Sequence, residues 1–142
     1  MQFTKAEEYG IFGILYLANQ PAERITPLSE ISEAQGVPEK FLAKIFQSLS
    51  KSGLVRSHRG VKGGFSLGRP ASQISIREIV EIIQGPYFIS KCLHTSDVCN
   101  RKDCPIKLLL GKAQHALTDV FDRHSVADLL AWHEEAAVLR RG

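Results

Sequence analysis

The sequence of 142 residues lacks several features that whole classes of protein require. No apolar run approaches the roughly 20 residues needed to cross a bilayer, and the N-terminus lacks the basic region, apolar core and cleavage site of a signal peptide. We therefore expect a cytoplasmic protein with no membrane partner. The sequence shows no Ser/His/Asp grouping and no carboxylate pair of the kind that catalytic sites use, and the five histidines are scattered along the chain. We accordingly expect neither an enzyme nor a small-molecule substrate.

Cysteine is also scarce, with three residues in the chain. In a reducing compartment an odd number of cysteines argues against a disulfide framework and favours metal ligands or a reactive thiol. The 44% hydrophobic content is enough to bury one compact core, and the 23% charged fraction is ordinary for a folded domain.

Acidic residues are absent from one quarter of the chain, between Lys40 and Arg77. Because the whole protein has 18 Lys+Arg against 15 Asp+Glu, the eight cations of this segment leave ten positive and fifteen negative residues elsewhere. A segment that carries only positive charge is typical of a surface that binds a polyanion. The eight cations are Lys40, Lys44, Lys51, Arg56, Arg59, Lys62, Arg69 and Arg77.

The breaks in and before this segment predict a winged helix-turn-helix. A Gly-Val-Pro sequence at 36–38 separates two helical patterns, and Gly53 ends the second. Two short strand patterns, 54–57 and 65–67, then flank a basic, glycine-rich loop. We predict a mainly helical fold with a small β-hairpin wing and a long C-terminal dimerisation helix. The winged helix-turn-helix is expected to bind double-stranded DNA. The alternative is a solvated basic face on another kind of small domain.

The second helix of the motif has two distinct faces. Helical spacing predicts that its apolar residues, Phe41, Leu42, Ile45, Phe46 and Leu49, point inward. The opposite face suits the major groove, because amides and hydroxyls read base edges and lysines neutralise phosphates. In the wing loop, glycines permit close backbone approach while the cations reach a phosphate or the minor groove. The candidate DNA contacts are Lys40, Lys44, Gln47, Ser48, Lys51, Arg59, Gly60, Lys62 and Gly63.

All three cysteines lie in a polar loop, 86–104, where periodicity fails. Six residues separate Cys92 from Cys99, and four separate Cys99 from Cys104. Zinc sites usually use pairs of cysteines with two to four residues between them, and neither gap here is two residues. Thiolates are soft ligands for zinc, copper(I) and iron–sulfur iron. The alternatives are therefore a shared metal or cluster, a metal-free thiol switch, and buried structural cysteines, which the polar surroundings disfavour.

A helix of roughly 18 residues follows the loop and carries an apolar seam. Its members are spaced four, three, four and three residues apart, which is the spacing of an a/d seam. The apolar face is widened by Leu109, Ala116 and Phe121. It is wider than packing within one domain would need, so we expect a homodimer. The alternative is that this helix only packs on the N-terminal helix. The seam consists of Ile106, Leu110, Ala113, Leu117 and Val120.

The chain resembles the IscR/NsrR-type family of bacterial transcription regulators over essentially its whole length. The resemblance is carried by the Met-Gln-Phe-Thr start, the wing motif at 59–68, the three cysteines and the Ser-Val-Ala-Asp-Leu sequence at 125–129. It implies a homodimer with crossed long helices that binds palindromic promoter DNA. It also implies a 2Fe–2S or, as we favour here, a 4Fe–4S cluster on Cys92, Cys99 and Cys104, with a fourth ligand that is not cysteine.

The fourth ligand is where this sequence departs from parts of the family. One branch uses a histidine three residues after the last cysteine, where this chain has Lys107. The nitric-oxide-sensing branch uses a carboxylate in the N-terminal helix of the other subunit, at the position of Glu8. A related redox sensor adds a histidine where this chain has Phe12. The resemblance thus implies Glu8 as fourth ligand, with His94 as second candidate.

We expect three parts: a DNA-binding domain at 1–85, a cluster-binding loop at 86–104, and a dimerisation helix with its tail at 105–142. The expected function is a transcription regulator that senses iron–sulfur, nitric oxide or redox status. Two alternatives stay open at this point. One is a DNA-binding protein with a zinc site or a metal-free thiol switch, and the other is a small iron–sulfur electron carrier, which would need no basic wing.

Overall fold

Six α-helices and one β-hairpin form the computed structural model, which describes residues 3–95 and 100–141. The predicted mainly helical fold with a small wing is confirmed. No helix in these two ranges is long and apolar enough to cross a membrane. The elements are α1 (Lys5–Ala18), α2 (Leu28–Gln35), α3 (Glu39–Lys51), β1 (Val55–His58), β2 (Gly64–Leu67), α4 (Ile76–Gln84), α5 (Pro105–Arg123) and α6 (Val126–Arg141), with 3-10 turns at Ala71–Gln73 and Lys91–Leu93.

Capping boxes fix where two of the helices begin. At the start of α1, the Thr4 amide donates to Glu7 Oε2 at 2.5 Å. At the start of α4, the Ser75 amide donates to Glu78 Oε2 at 3.0 Å, and the Glu78 amide donates to Ser75 Oγ at 3.1 Å. Such reciprocal bonds satisfy amides that have no partner inside the helix. Glu7 is fully buried, and its other oxygen, Oε1, has no hydrogen-bond partner among the described residues.

The helix-turn-helix depends on the turn between α2 and α3. Gly36 adopts the left-handed conformation with φ of 65°, which glycine tolerates best because it has no Cβ. The Val37 amide then donates to the Ser32 carbonyl at 3.1 Å, and the Val37 side chain is buried. This turn directs α3 across the inner faces of α1 and α4. Pro27 caps α2 rather than occupying its first turn.

The core lies between α1, α3 and α4 and continues into the start of α6. It therefore runs through residues of both the N-terminal and C-terminal parts of the chain, and the three-part division at 85 and 104 stays a prediction. The buried apolar residues include Ile11, Ile14, Leu17, Ile31, Leu42, Phe46, Leu49, Leu54, Ile74, Ile79, Val80 and Val126.

Phe41 is the exception on α3, because 62% of its side chain is exposed. The prediction that it points inward is wrong. The buried residues Leu42, Ile45, Phe46 and Leu49 form a single arc, and with 3.6 residues per turn Phe41 lies about 90° from the centre of that arc. The core has no room for apolar residues this far round the helix, so Phe41 lies at the edge of the solvent-facing side.

The hairpin is anchored to the helices through Phe65. Its backbone exchanges two hydrogen bonds with Thr26, of 2.8 and 2.9 Å, which adds an isolated bridge beside the antiparallel pair of β1 and β2. Its ring meets the Phe46 ring edge-on at a centroid distance of 5.0 Å. A Cβ on Gly64 would lie 2.3 Å from the Thr26 carbonyl oxygen, so only glycine fits there. The wing is thus joined to the start of α2 through Thr26 and to the middle of α3 through Phe46.

The helix α6 runs for 16 residues. Its beginning forms an antiparallel bridge with the beginning of α4, since Ile76 donates to the His124 carbonyl and Val126 donates to the Ile74 carbonyl, each at 2.9 Å. The rest of α6 packs on α1 and on the 3-10 turn at 71–73. This packing joins the C-terminal helix to the N-terminal part of the chain.

A polar triad joins α1 to α2. Arg24 donates to both carboxylate oxygens of Glu30 at 2.7 and 2.8 Å, and the Tyr16 hydroxyl donates to the same carboxylate at 2.7 Å. The Arg24 hydrogen bonds, followed by the Tyr16 hydrogen bond, lower the pKa of Glu30 from 4.5 to about 2. The carboxylate therefore stays ionised well into acid in the folded protein.

We predict that Glu30→Gln lowers stability at neutral pH and that this effect fades in acid. A carboxyl group whose pKa is depressed by folding contributes stability above its unfolded pKa, and this contribution is lost as the pH falls toward the folded value, here about 2. Urea titrations at about pH 7, 5 and 3 should show the difference between wild type and variant shrinking below about pH 5. Glu33→Gln, at an exposed position of α2 with no ion pair in the described structure, is the control. A difference that does not change with pH would contradict the assignment.

Candidate nucleic-acid interface and cysteine loop

The outer face of α3 presents the polar side chains that the sequence assigns to it. Lys40, Lys44, Gln47 and Lys51 are exposed, and Ser48 is half-buried. They lie opposite the buried arc that packs on α1 and α4. The helix has 13 residues, so it is about 20 Å long. The structure therefore brings all five predicted contacts of this helix to one surface.

The basic segment divides into paired and unpaired cations. Arg69 forms an ion pair with Glu78 at 2.8 Å, and Arg77 forms one with Glu81 at 2.9 Å. Both partners lie just beyond the segment that lacks acidic residues. The other six cations are exposed and form no ion pair with any residue that the structure describes; they are Lys40, Lys44, Lys51, Arg56, Arg59 and Lys62. Within this basic segment, the cations without an acidic partner thus lie on α3, β1 and the wing loop.

The wing loop holds its basic side chains away from the body of the protein. Arg59, Gly60 and Lys62 are exposed, and Gly60 has a φ of 107°. The Gly63 amide closes the loop by donating to the Gly60 carbonyl at 2.9 Å. Val61 is fully exposed at the tip, and no sequence signal pointed to it. The four predicted contacts of the loop therefore share one protruding turn.

Two of the three cysteines lie within the described residues, and both are half-buried free thiols. Cys92 belongs to the 3-10 turn Lys91–Leu93, where its Sγ lies 3.2 Å from Ser90 Oγ. Cys104 is the N-cap of α5. Cys99 lies outside the described residues, so its predicted role as a ligand remains a prediction. Within 3–95 and 100–141, no group of three or more His, Cys, Asp or Glu is placed to hold a metal ion.

A wide groove of about 830 Å³ opens beside Cys104. Three cations line it against one carboxylate, so it is electropositive. Sequence reasoning missed this groove, although Cys104, Lys107, Leu108 and Gly111 recur at helical spacing and so share a face of α5. The lining residues besides Cys104 are Leu93, Arg101, Asp103, Lys107, Leu108, Gly111, Lys112 and His115.

The two candidates for the fourth ligand lie at the surface. Glu8 on α1 forms an exposed ion pair with Lys5 at 3.1 Å. His94 is exposed and stacks on Phe88 with a centroid distance of 4.9 Å. Neither contact involves a cysteine. The assignment of Glu8 as a ligand, which requires a second subunit, stays a prediction.

The predicted seam of α5 faces two ways. Ile106 and Val120 are 63% and 46% exposed, and Ala113 is exposed as well. Leu110 and Leu117 are half-buried, and Leu117 packs against the core. With Leu109 and Ala116 the outer members form an exposed apolar stripe, defined as Ile106, Leu109, Ala113, Ala116 and Val120.

Side chains of α5 bind the start of the cysteine loop. The Gln114 amide donates to the Tyr87 carbonyl at 2.6 Å, and its oxygen accepts from the Ile89 amide at 2.7 Å. The Phe121 ring contacts Tyr87 at 6.1 Å and Phe3, just before α1, at 6.3 Å between centroids. The loop, the long helix and the N-terminus therefore meet at one place.

Similarity to known proteins agrees with this geometry. Residues 3–132 match the Rrf2 family, described as an iron-dependent transcriptional regulator. CymR of B. subtilis, the global cysteine regulator of that organism, shares the fold with a TM-score of 0.81 at 24% identity, over 93% of this chain and 98% of that one. IscR of T. potens matches with a TM-score of 0.79 at 27% identity, over 96% and 90%. The oxidised form of S. aureus CymR matches with a TM-score of 0.74 at 25% identity, over 92% and 96%.

The family match spans nearly the whole chain, and the matching structures contain the same winged fold. The resemblance predicted from the wing motif and the cysteines is confirmed, as is the expectation that the chain is not an enzyme. This protein belongs to the Rrf2 family of transcriptional regulators.

Proposed function

We propose that this Rrf2-family chain is a homodimeric regulator that binds double-stranded promoter DNA through α3 and the wing loop. The observation that carries the proposal is the set of six exposed, unpaired cations on α3, β1 and the wing loop. Neutralising DNA phosphates with such side chains releases counterions and drives binding. Gln47 and Ser48, between the lysines of α3, supply the amide and hydroxyl groups that read base edges.

The separation of the two DNA-contacting elements is fixed by the fold. The contact between Phe46 of α3 and Phe65 of β2 holds the helix and the hairpin in one arrangement. With α3 in the major groove, Arg59 and Lys62 of the wing loop reach the neighbouring phosphates or minor groove. The helix therefore supplies sequence readout, and the wing loop supplies position and affinity.

We predict that Lys44→Ala and Arg59→Ala each weaken DNA binding and flatten its salt dependence. If each residue neutralises one phosphate in each subunit of the dimer, the magnitude of the slope of log K against log salt should fall by about 1.8 per variant. Fluorescence anisotropy with a duplex selected from a random library, over a series of salt concentrations, measures this slope. Arg140→Ala, at the exposed end of α6, is the control and should leave the slope unchanged. An unchanged slope in Lys44→Ala or Arg59→Ala would reject that phosphate contact.

The dimer is proposed from the exposed apolar stripe of α5. Ile106 and Leu109 are 63% and 66% exposed, which is unusual for large aliphatic side chains at helical spacing. Two such helices crossing along their stripes bury these side chains, because a seam repeating every three and four residues fits a second helix. The pairing would also present two α3 helices to two half-sites of one operator.

The sensing part of the proposal rests on the cysteine loop. Cys92 and Cys104 are free and half-buried, and the groove beside Cys104 is lined by Arg101, Lys107 and Lys112. This donor set fits an iron–sulfur cluster, since thiolates are its usual ligands and the cations offset their negative charge. We propose Cys92, Cys99, Cys104 and, from the second subunit, Glu8 as ligands, with a 4Fe–4S cluster favoured over 2Fe–2S. When bound, such a cluster supplies sensitivity to iron, nitric oxide or oxidants.

Gln114 and Phe121 provide the physical link from the loop to DNA binding. Any shift of the backbone at Tyr87 or Ile89 must break or move the Gln114 hydrogen bonds and so act on α5. The far end of α5 is joined to the start of α4 through His124. A change at the cysteines would thus shift the population of dimers whose two α3 helices match the operator spacing.

A metal-free thiol switch is the second candidate. Ser90 Oγ lies within hydrogen-bonding distance of the Cys92 thiol, so this cysteine has a polar partner without any metal. The likeness to S. aureus CymR, whose structure is known in an oxidised form, also favours a response to redox conditions. Cytoplasmic localisation stays a prediction for both candidates.

We predict that anaerobically reconstituted wild type binds iron and sulfide in equal amounts and absorbs visible light broadly, whereas Cys92→Ala loses both properties. The loss is expected because one of three thiolate ligands is removed. Iron and sulfide assays with an absorption spectrum measure the outcome, and circular dichroism checks that the variant is folded. Ser90→Ala, which removes only the hydroxyl beside the thiol, is the control and should retain the cluster. A wild type that holds zinc would reject the cluster in favour of a zinc site, and one that holds no metal would leave the thiol switch.

A further inference from the structure

Phe41 is a large apolar side chain on the face of α3 that is otherwise polar. The residue is 62% exposed, whereas Leu42, Ile45, Phe46 and Leu49 of the same helix are buried. Exposing an aromatic ring to water forgoes the free energy that its burial would provide. No described residue covers it with a ring contact, although Phe46, five residues later, makes one. The ring is therefore available to a partner.

The neighbours of Phe41 indicate what kind of partner this is. On a helix, side chains three and seven residues apart lie on the same side, so Lys44 and Ser48 flank Phe41. Lys40 and Lys44 are exposed and unpaired within the described structure, and the only carboxylate of α3 is Glu39 in its first turn. A ring among unpaired cations is better matched to a polyanion than to an apolar protein surface. The patch is continuous with the DNA-binding face proposed above.

Only one group in the DNA major groove suits such a ring. The base edges there are hydrogen-bond donors and acceptors, with the single exception of the thymine 5-methyl group. A phenyl ring offers no hydrogen bond, so covering the polar edge of another base would cost free energy without compensation. Contact with a thymine methyl avoids this cost and buries apolar surface on both sides.

We propose that Phe41 contacts the 5-methyl group of a thymine in the major groove, and that this contact selects operators with thymine at one fixed position in each half-site. The inference rests on the proposed DNA-binding function and adds a specificity-determining residue to it. Lys44 and the wing cations supply affinity for any duplex, whereas Phe41 supplies discrimination among base pairs.

The test replaces each thymine of a selected duplex, one at a time, by deoxyuridine, which lacks only the methyl group. Wild type should lose affinity about fourfold at one thymine per half-site, which corresponds to the burial of one methyl group. Phe41→Ala should show the same affinity for the thymine and deoxyuridine duplexes at that position. Phe41→Leu, which keeps an apolar side chain, should retain most of the difference. Lys44→Ala is the matched control, with weaker binding overall and an unchanged thymine preference.

Other outcomes would overturn the proposal. If wild type tolerates deoxyuridine at every position, no thymine methyl is read. If Phe41→Ala loses as much affinity as wild type on the same replacement, another residue reads the methyl and Phe41 packs on the sugar–phosphate backbone or on a protein. If wild type selects no duplex at all, the proposed DNA-binding function fails, and this inference fails with it.

Discussion

The packing of Phe65 is the constraint on which the position of the wing relative to α3 depends. Its backbone pairs with Thr26 at the start of α2, and its ring packs edge-on against Phe46 of α3. An edge-to-face pair of this kind contributes about 0.5–1.5 kcal/mol beyond the burial of its surface. The close approach of Gly64 to Thr26 allows the pairing. Without this junction, the wing would be a two-stranded ribbon of little independent stability, and its cations would have no fixed relation to α3.

The cations of the basic segment between Lys40 and Arg77 differ in whether they form ion pairs. Arg69 and Arg77 are held by Glu78 and Glu81 of α4, and such half-exposed pairs contribute at most about 1 kcal/mol each. Their main effect is to neutralise two of the eight cations between Lys40 and Arg77. The other six cations of this segment lie exposed on α3, β1 and the wing loop. The formal net charge of only +3 does not show that the segment 40–77 is strongly basic while the rest of the chain has more acidic than basic residues.

The features that the sequence predicted correctly are those set by local chemistry. The break at Gly36 between two helices and the glycine-rich loop between two strands each depend on residues within a few positions of one another. The orientation of Phe41 was predicted wrongly because the width of a buried arc depends on the elements packed against it. The full length of α6 depends likewise on its packing against α1. The role of Glu8 and the dimer seam require a second chain, which no pattern within one chain can supply.

We propose that the state of the cysteine loop controls DNA binding through its contacts with α5. The most direct measurement is an anaerobic titration of one selected duplex with the iron-loaded and iron-stripped forms of the protein, for wild type and for Gln114→Ala. We expect the two forms of wild type to differ in affinity, and the difference to shrink in Gln114→Ala, because this variant loses both hydrogen bonds to the loop. Equal affinity of the two wild-type forms would contradict the claim and leave a DNA-binding protein whose cysteine loop does not regulate it.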